Sequence, residues 1–337
     1  MTRRVHNADD RSFRLLFQHP EVVADLLRGL IHEPWVEDLD LGTLEKLPSD
    51  YLSGALPGPY EERTGDVVWR VSWRNRRQGL FLILMLELQS TRDPAMALRI
   101  LVYLVLFYQR LLKLEPTLLS DGGKLPPVCP IVFYNGDEDW GSVLEMRELI
   151  GPVSESLAPH IPSLRYCLID VKRLPLKELE GVENVAAAIC RVERGDGPES
   201  LARVVGELAE WLKEPESREL RRDFVAWLTK VVLPEQLGGA PFPRVTELDE
   251  FKTVLEGNMQ TWSERWFSQG RLTGREEGRE EGRVAERADS LLWFLRYKFG
   301  ELDPGVVVRV QTADAATLLR WRERLPNARS LEDVFGA

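Results

Sequence analysis

From Gly79 to Leu86 the chain reads GLFLILML, eight residues without a charge, and then turns to Glu87-Leu88-Gln89. A run apolar at every consecutive position suits a strand buried on both faces, so it belongs in the interior of a sheet covered on both sides. A carboxylate has no ordinary place at the end of such a strand, because burying a charge without a partner is costly. Side chains at i and i+2 share a face. Glu87 and Gln89 therefore point together, while Leu88 faces the core and leaves its backbone carbonyl available.

Just upstream, DVVWRVSW alternates Val67, Trp69, Val71 and Trp73 with Val68, Arg70 and Ser72, the period-2 pattern of a half-buried strand with Asp66 at its start. The polar RNRRQG between the two segments reads as a hairpin turn, so the strands are antiparallel neighbours. That pairing brings the start of one beside the end of the other, and Asp66 beside Glu87 and Gln89. Two readings stay open on these residues alone: a metal-dependent nuclease site, or an Asp and a Glu marking ordinary strand boundaries.

Several stretches in a fixed order carry a resemblance: DRSFRLLFQHPE, LDLGTLEKLPSDYL, GDVVWRV, LELQSTRDPAMALRILVY and PPVCPIVFYNG. Over most of residues 1–175 the chain resembles the Rpn/YhgA-like transposase family, also called recombination-promoting nucleases, of the PD-(D/E)XK nuclease superfamily. The resemblance implies that Asp66 is the metal-binding aspartate, Glu87 the second acid, and Gln89 the occupant of the position that gives the superfamily its lysine. It also implies a role for Asp10, in Asp10-Arg11-Ser12-Phe13, as an acid approaching the site from a helix. A helix N-cap is the competing reading of that residue.

The implied reaction is hydrolysis of DNA phosphodiester bonds. The carboxylates of Asp66 and Glu87, with the Leu88 carbonyl, are hard oxygen ligands suited to Mg2+, with Mn2+ as an alternative. Gln89 orients water or phosphate by hydrogen bonds but brings no positive charge. A net charge of −10 argues against extended nonspecific binding to nucleic acid. Local charge counts for more than the sum: Arg70, Arg74, Arg76 and Arg77 gather on the hairpin, which is read as lying beside the acids, and Arg99 follows on the next helix. A solvated turn is the plainer reading of the hairpin arginines.

The N-terminus lacks an apolar signal segment, and AMALRILVYLVLFYQRLLKL is interrupted by Arg99, Gln109 and Arg110. The expectation is a cytoplasmic protein with no membrane partner, in which this segment is a core helix capped by Asp93-Pro94. Cys129, Cys167 and Cys190 form no CxxC pair, and the four histidines no ligand motif. Reduced cysteines and no histidine metal site are expected.

The fold class expected is α/β, a PD-(D/E)XK-like mixed sheet flanked by helices. Segments 126–134 and 164–171 read as further strands, segments 12–30 and 93–114 as helices, and 137–160 as mostly helical around Trp140. Residues 1–175 form the nuclease-like core, 176–233 a helical extension, 234–245 a Gly/Pro-rich linker, 246–285 a helical segment and 286–337 a small helical C-terminal domain. Within the fourth of these, Gly270, Gly274, Gly278 and Gly282 recur every four residues, each followed by an arginine. Each glycine weakens a helix by ~1 kcal/mol relative to Ala. The repeat fits either a helix–helix seam or a mobile tether, and homodimerisation through the C-terminal helical region is the reading favoured.

Asp137, Glu138, Asp139 and Asp170 are strand-end or turn acids without a partner in the motif and are left outside the site. No GxSxG elbow or phosphate loop ending in Gly-Lys-Ser/Thr is present. The function expected is a metal-dependent DNA endonuclease, with a DNA-binding or regulatory protein on a degenerate nuclease fold as the alternative.

Overall fold

The computed structural model describes residues 14–48, 67–75, 79–87, 93–114, 124–136, 138–236 and 242–336; for 79–80, 82–87, 176, 235–236, 265–270 and 272–281 it describes the backbone. A five-stranded mixed sheet holds β1 (Leu39–Lys46), β2 (Val67–Trp73), β3 (Gly79–Glu87), β4 (Val128–Tyr134) and β5 (Cys167–Asp170), ordered as numbered. The first three pair antiparallel; β3, β4 and β5 run parallel. The apolar run thus becomes the middle strand, where the sheet changes from antiparallel to parallel.

Each face of the sheet has its own core. Helix α1 (Pro20–Leu30) begins with a proline at its first turn and spaces Val22, Val23, Leu26, Leu27 and Leu30 along one stripe. That stripe joins Val67, Trp69, Val71, Phe133 and Ile169 in one cluster. Helix α2 (Met96–Leu114) covers the other face with Met96, Ile100, Tyr103, Phe107 and Leu111, against Val68, Phe81, Val132 and Tyr134. Asp93 caps its start as expected, accepting the Ala95 N–H at 2.9 Å.

Helices α3 (Leu176–Leu179), α4 (Val185–Arg194), α5 (Pro198–Trp211), α6 (Arg218–Trp227), α7 (Leu233–Gln236) and α8 (Leu248–Gly257) follow, with a π-helical stretch at Leu228–Val232 between α6 and α7. Asn184 caps α4 by accepting the Ala187 N–H at 2.7 Å and donates to the Asp25 carbonyl of α1 at 2.8 Å. A Cβ at Gly29 would stand 2.6 Å from the Asn184 amide nitrogen, so glycine there sets how closely α1 and α4 pack.

Three expectations are revised. The strand β2 is not half-buried: Val68 is as buried as Val67 and Trp69, because α2 covers its second face. Of segment 137–160, the described residues 138–160 are mostly irregular, with single 3-10 turns at Met146–Leu149 and Ala158–His160; Gly141 takes a φ of +55°, and prolines at 152 and 159 interrupt any helix. Trp140 is nevertheless the packing anchor expected, 4% exposed and 4.8 Å from the Tyr134 ring. In residues 176–233, α4, α5 and α6 share one core with α1 and the sheet. Past the five residues 237–241, Phe242 stacks at 5.5 Å on Trp262 and Val245 is buried, so this part of the expected linker is packed.

The chain divides into two compact units, Met1–Ser263 and Glu264–Ala337. The long helix α9 (Met259–Phe299) spans the dividing point. In the second unit its C-terminal turns pack Ala288, Leu291, Leu292 and Leu295 with α10 (Pro304–Gln311), α11 (Ala315–Arg324) and α12 (Leu331–Phe335). Among the described residues no helix is long and apolar enough to cross a membrane.

Candidate functional site

The register of β2 and β3 decides what meets at the end of the middle strand. Val67 stands opposite Leu84, so the start of β2 lies three residues from Glu87, and the expected antiparallel hairpin is present. Glu87, the last residue of β3, stands opposite Tyr134, and Tyr134 opposite Asp170. Three parallel strands therefore end in line, with Asp170 about 10 Å from Glu87 across two strand spacings. Asp10, Asp66, Leu88 and Gln89 lie outside the described residues.

The rim beside Glu87 is built from side chains that hold one another. The Tyr134 hydroxyl donates to the Glu138 carbonyl at 3.0 Å. Trp140 Nε1 donates to the Tyr166 hydroxyl at 2.8 Å, which in turn donates to the Val143 carbonyl at 2.9 Å. Burial pushes the Tyr166 phenol up to about 12. Arg173 donates to Asp139 at 2.6 Å, to Asp170 at 3.1 Å and to the Gly136 carbonyl at 3.3 Å. Desolvation raises the Asp170 carboxyl above the usual carboxylate range, against the opposing pull of Arg173. Asp170 and Arg173 were passed over in the sequence because nothing local pairs Asp170 with the motif; its partner is set by the order of the parallel strands.

The cations are distributed otherwise than expected. Ser72 pairs with Gly79, so Arg74 lies at the turn end of the hairpin, eight residues from Glu87 along β3. At about 3.3 Å per residue that is roughly 26 Å, so Arg74 lies a strand's length from Glu87. Arg74 Nε donates to the Leu39 carbonyl at 3.0 Å. Arg70, opposite Phe81, reaches Glu45 at 3.8 Å. Arg76 and Arg77 are outside the described residues. Arg99 is 5% exposed and donates to Asp93 at 2.9 Å, which anchors the start of α2.

Two clefts, of about 720 and 690 Å3, open at the other end of the strands and share Ile31, His32 and Glu33 in their walls. They lack the strand-end acids, so their size does not make them the site. Cys129 and Cys167 line the larger one with their sulfurs 3.8 Å apart as free thiols. Their mutual hydrogen bond raises the Cys129 thiol and lowers that of Cys167. Among the described residues no group of three His, Cys, Asp or Glu side chains gathers to hold a metal.

A family profile described as "Putative transposase, YhgA-like" matches residues 7–221, more than half of the chain. The chain is also similar to the "Recombination-promoting nuclease RpnC" of Escherichia coli (strain K12), at 31% identity over 170 residues. That alignment covers 50% of this chain and 52% of RpnC, so the chain spans about half the length of this relative. No solved structure matches.

Proposed function

Because the chain belongs to the YhgA-like family of putative transposases, we propose that it is a metal-dependent DNA endonuclease of the PD-(D/E)XK type, working at the edge where β2 begins and β3 ends. The observation that carries this reading is the register that brings the first residues of β2 alongside the last residues of the middle strand. The name of the RpnC relative supports nuclease chemistry and a link to recombination.

The donor set proposed for a metal is entirely oxygen: the carboxylates of Asp66 and Glu87 and the carbonyl of Leu88. Such donors fit a hard cation, Mg2+ or Mn2+, better than a soft one. When bound, the cation supplies charge neutralisation at the phosphate and a lowered pKa for the attacking water. Gln89 positions water or phosphate through its amide. It carries no charge, so this chain depends on other groups for electrostatic stabilisation of the transition state. Position 87 is an even step along the strand from Phe81, which puts it on the α2 face, towards Tyr134 and Asp170.

The test is cleavage of supercoiled and linear DNA by the purified protein with Mg2+ or Mn2+, with EDTA, and with Asp66→Ala. Metal-dependent nicking that disappears in the variant is the expected result. A second reading, a DNA-binding protein without cleavage, is favoured by Gln89 and by the net charge of −10. Binding that persists while neither the wild type nor the variant cleaves under any metal would establish it instead.

A further inference from the structure

The three cysteines differ in where they sit, and the nuclease reading uses none of them. Cys190 is wholly buried within α4, where it fills space as a small apolar side chain. Cys129 in β4 and Cys167 at the start of β5 are partly exposed and both line the larger cleft, with their sulfurs 3.8 Å apart. Both pack against the core that holds Ile131 and Ile169, on the α1 face of the sheet. Cys167 stands opposite Ile131, two residues beyond Cys129, so the thiols meet on a diagonal between adjacent parallel strands. One strand spacing and two residues of rise put their Cα atoms about 8 Å apart. That exceeds the ~7 Å a disulfide spans without backbone movement. Cys167 is the first residue of β5, so the shift needed falls at a strand end.

We propose that Cys167 and Cys129 form a thiol–disulfide exchange site, which takes a small disulfide from the cleft and becomes a reversible cross-link between β4 and β5. Cys167 attacks first. Arg165, two residues before it, lines the same cleft, and a thiolate is favoured beside such a charge. The hydrogen bond from Cys129 lowers the Cys167 thiol, with a smaller pull from Arg165, against the opposing effects of burial and Glu33. The same contact raises the Cys129 thiol, which divides the pair into an attacking and a resolving sulfur. The Cys167 thiolate displaces one half of the small disulfide as a thiolate and stays joined to the other half. Cys129 then gives its proton to solvent and attacks the Cys167 sulfur, releasing the second half. Two protein thiols and one small disulfide thus become one protein disulfide and two small thiols. The cleft of about 720 Å3 lies within the ~300–1,000 Å3 range of small-molecule sites. A cross-link that needs a strand end to shift is strained, and strained disulfides are the readily reduced ones.

The experiment treats the full chain, folded and fully reduced, with oxidised glutathione, and follows it by intact mass and peptide mapping. The wild type is expected to lose two hydrogens, with the segments holding Cys129 and Cys167 joined, and to return to the dithiol when dithiothreitol is added. Cys129→Ser is expected to stop at one glutathionyl adduct on Cys167. In Cys167→Ser the reaction of Cys129 is expected to be at least about tenfold slower than that of Cys167 in Cys129→Ser, because the more acidic thiol supplies more thiolate. Cys190→Ala is expected to leave the cross-link unchanged. The wild-type result needs no variant to fold, and circular dichroism checks the fold of each variant. A wild type that stays reduced in excess oxidised glutathione, one that stops at the mixed disulfide, a bridge that includes Cys190, or equal rates in the two serine variants would each overturn the proposal. None of these outcomes depends on whether the protein cleaves DNA.

Discussion

The two ends of the β2–β3 hairpin carry opposite chemistry. At one end the middle strand finishes on Glu87, in line with Tyr134 and Asp170. At the other, Arg74 sits at the turn, its guanidinium held by the Leu39 carbonyl. In the sequence these charges flank one short segment and read as one cluster. In the fold a strand's length, roughly 26 Å, lies between them. A hairpin brings together the start of one strand and the end of the next, and by the same geometry it removes the turn from both.

Several measurements bear on that separation. Substituting Glu87→Ala is expected to lower DNA cleavage at least about 100-fold, since even outer partners of metal ligands are worth 10–100-fold; a smaller loss would move the reaction away from this edge. Arg99→Met, followed by urea denaturation, is expected to cost about 3 kcal/mol, because it leaves Asp93 without its buried partner. If instead that variant stayed fully stable and lost only DNA affinity, the burial of Arg99 would be the wrong account. Asp170→Asn addresses the rim. The folded carboxyl titrates above its ordinary range, so between the two values the native state holds more protons and stability falls as pH rises. The variant is expected to flatten that acid-range slope, and an unchanged slope would show that Asp170 is not desolvated. Arg74→Ala should give the smallest effect: about 1 kcal/mol of stability from the lost hydrogen bond, with turnover unchanged. A loss of cleavage comparable to that of Glu87→Ala would erase the distinction between the two ends.

What was legible in the sequence was local. Alternation in VVWRVSW and the polar RNRRQG gave the hairpin, and the unbroken apolar run gave the middle strand. The strand β1 was missed, because Gly42 and Thr43 interrupt its alternation where the pairing with β2 shifts register between Asp40 and Glu45. Non-local facts were illegible for a plain reason. The parallel order that sets Asp170 beside Tyr134, and the core that α4 to α6 share with α1, are properties of packing between distant segments. The distance of Arg74 from Glu87 could have been derived by counting residues along β3.

The parallel half of the sheet also dictates an order of assembly. Glu87 gains its neighbour Tyr134 only after the chain has passed through all of α2, and Tyr134 gains Asp170 only after the irregular segment that holds Trp140. Contacts so distant along the chain form slowly, because loop-closure entropy must be met before they contribute. During synthesis the hairpin can pair at once, yet the acid edge stays unfinished until β4 and β5 have been made. A nascent chain therefore carries Glu87 for some time before it has the neighbours that complete this edge of the sheet.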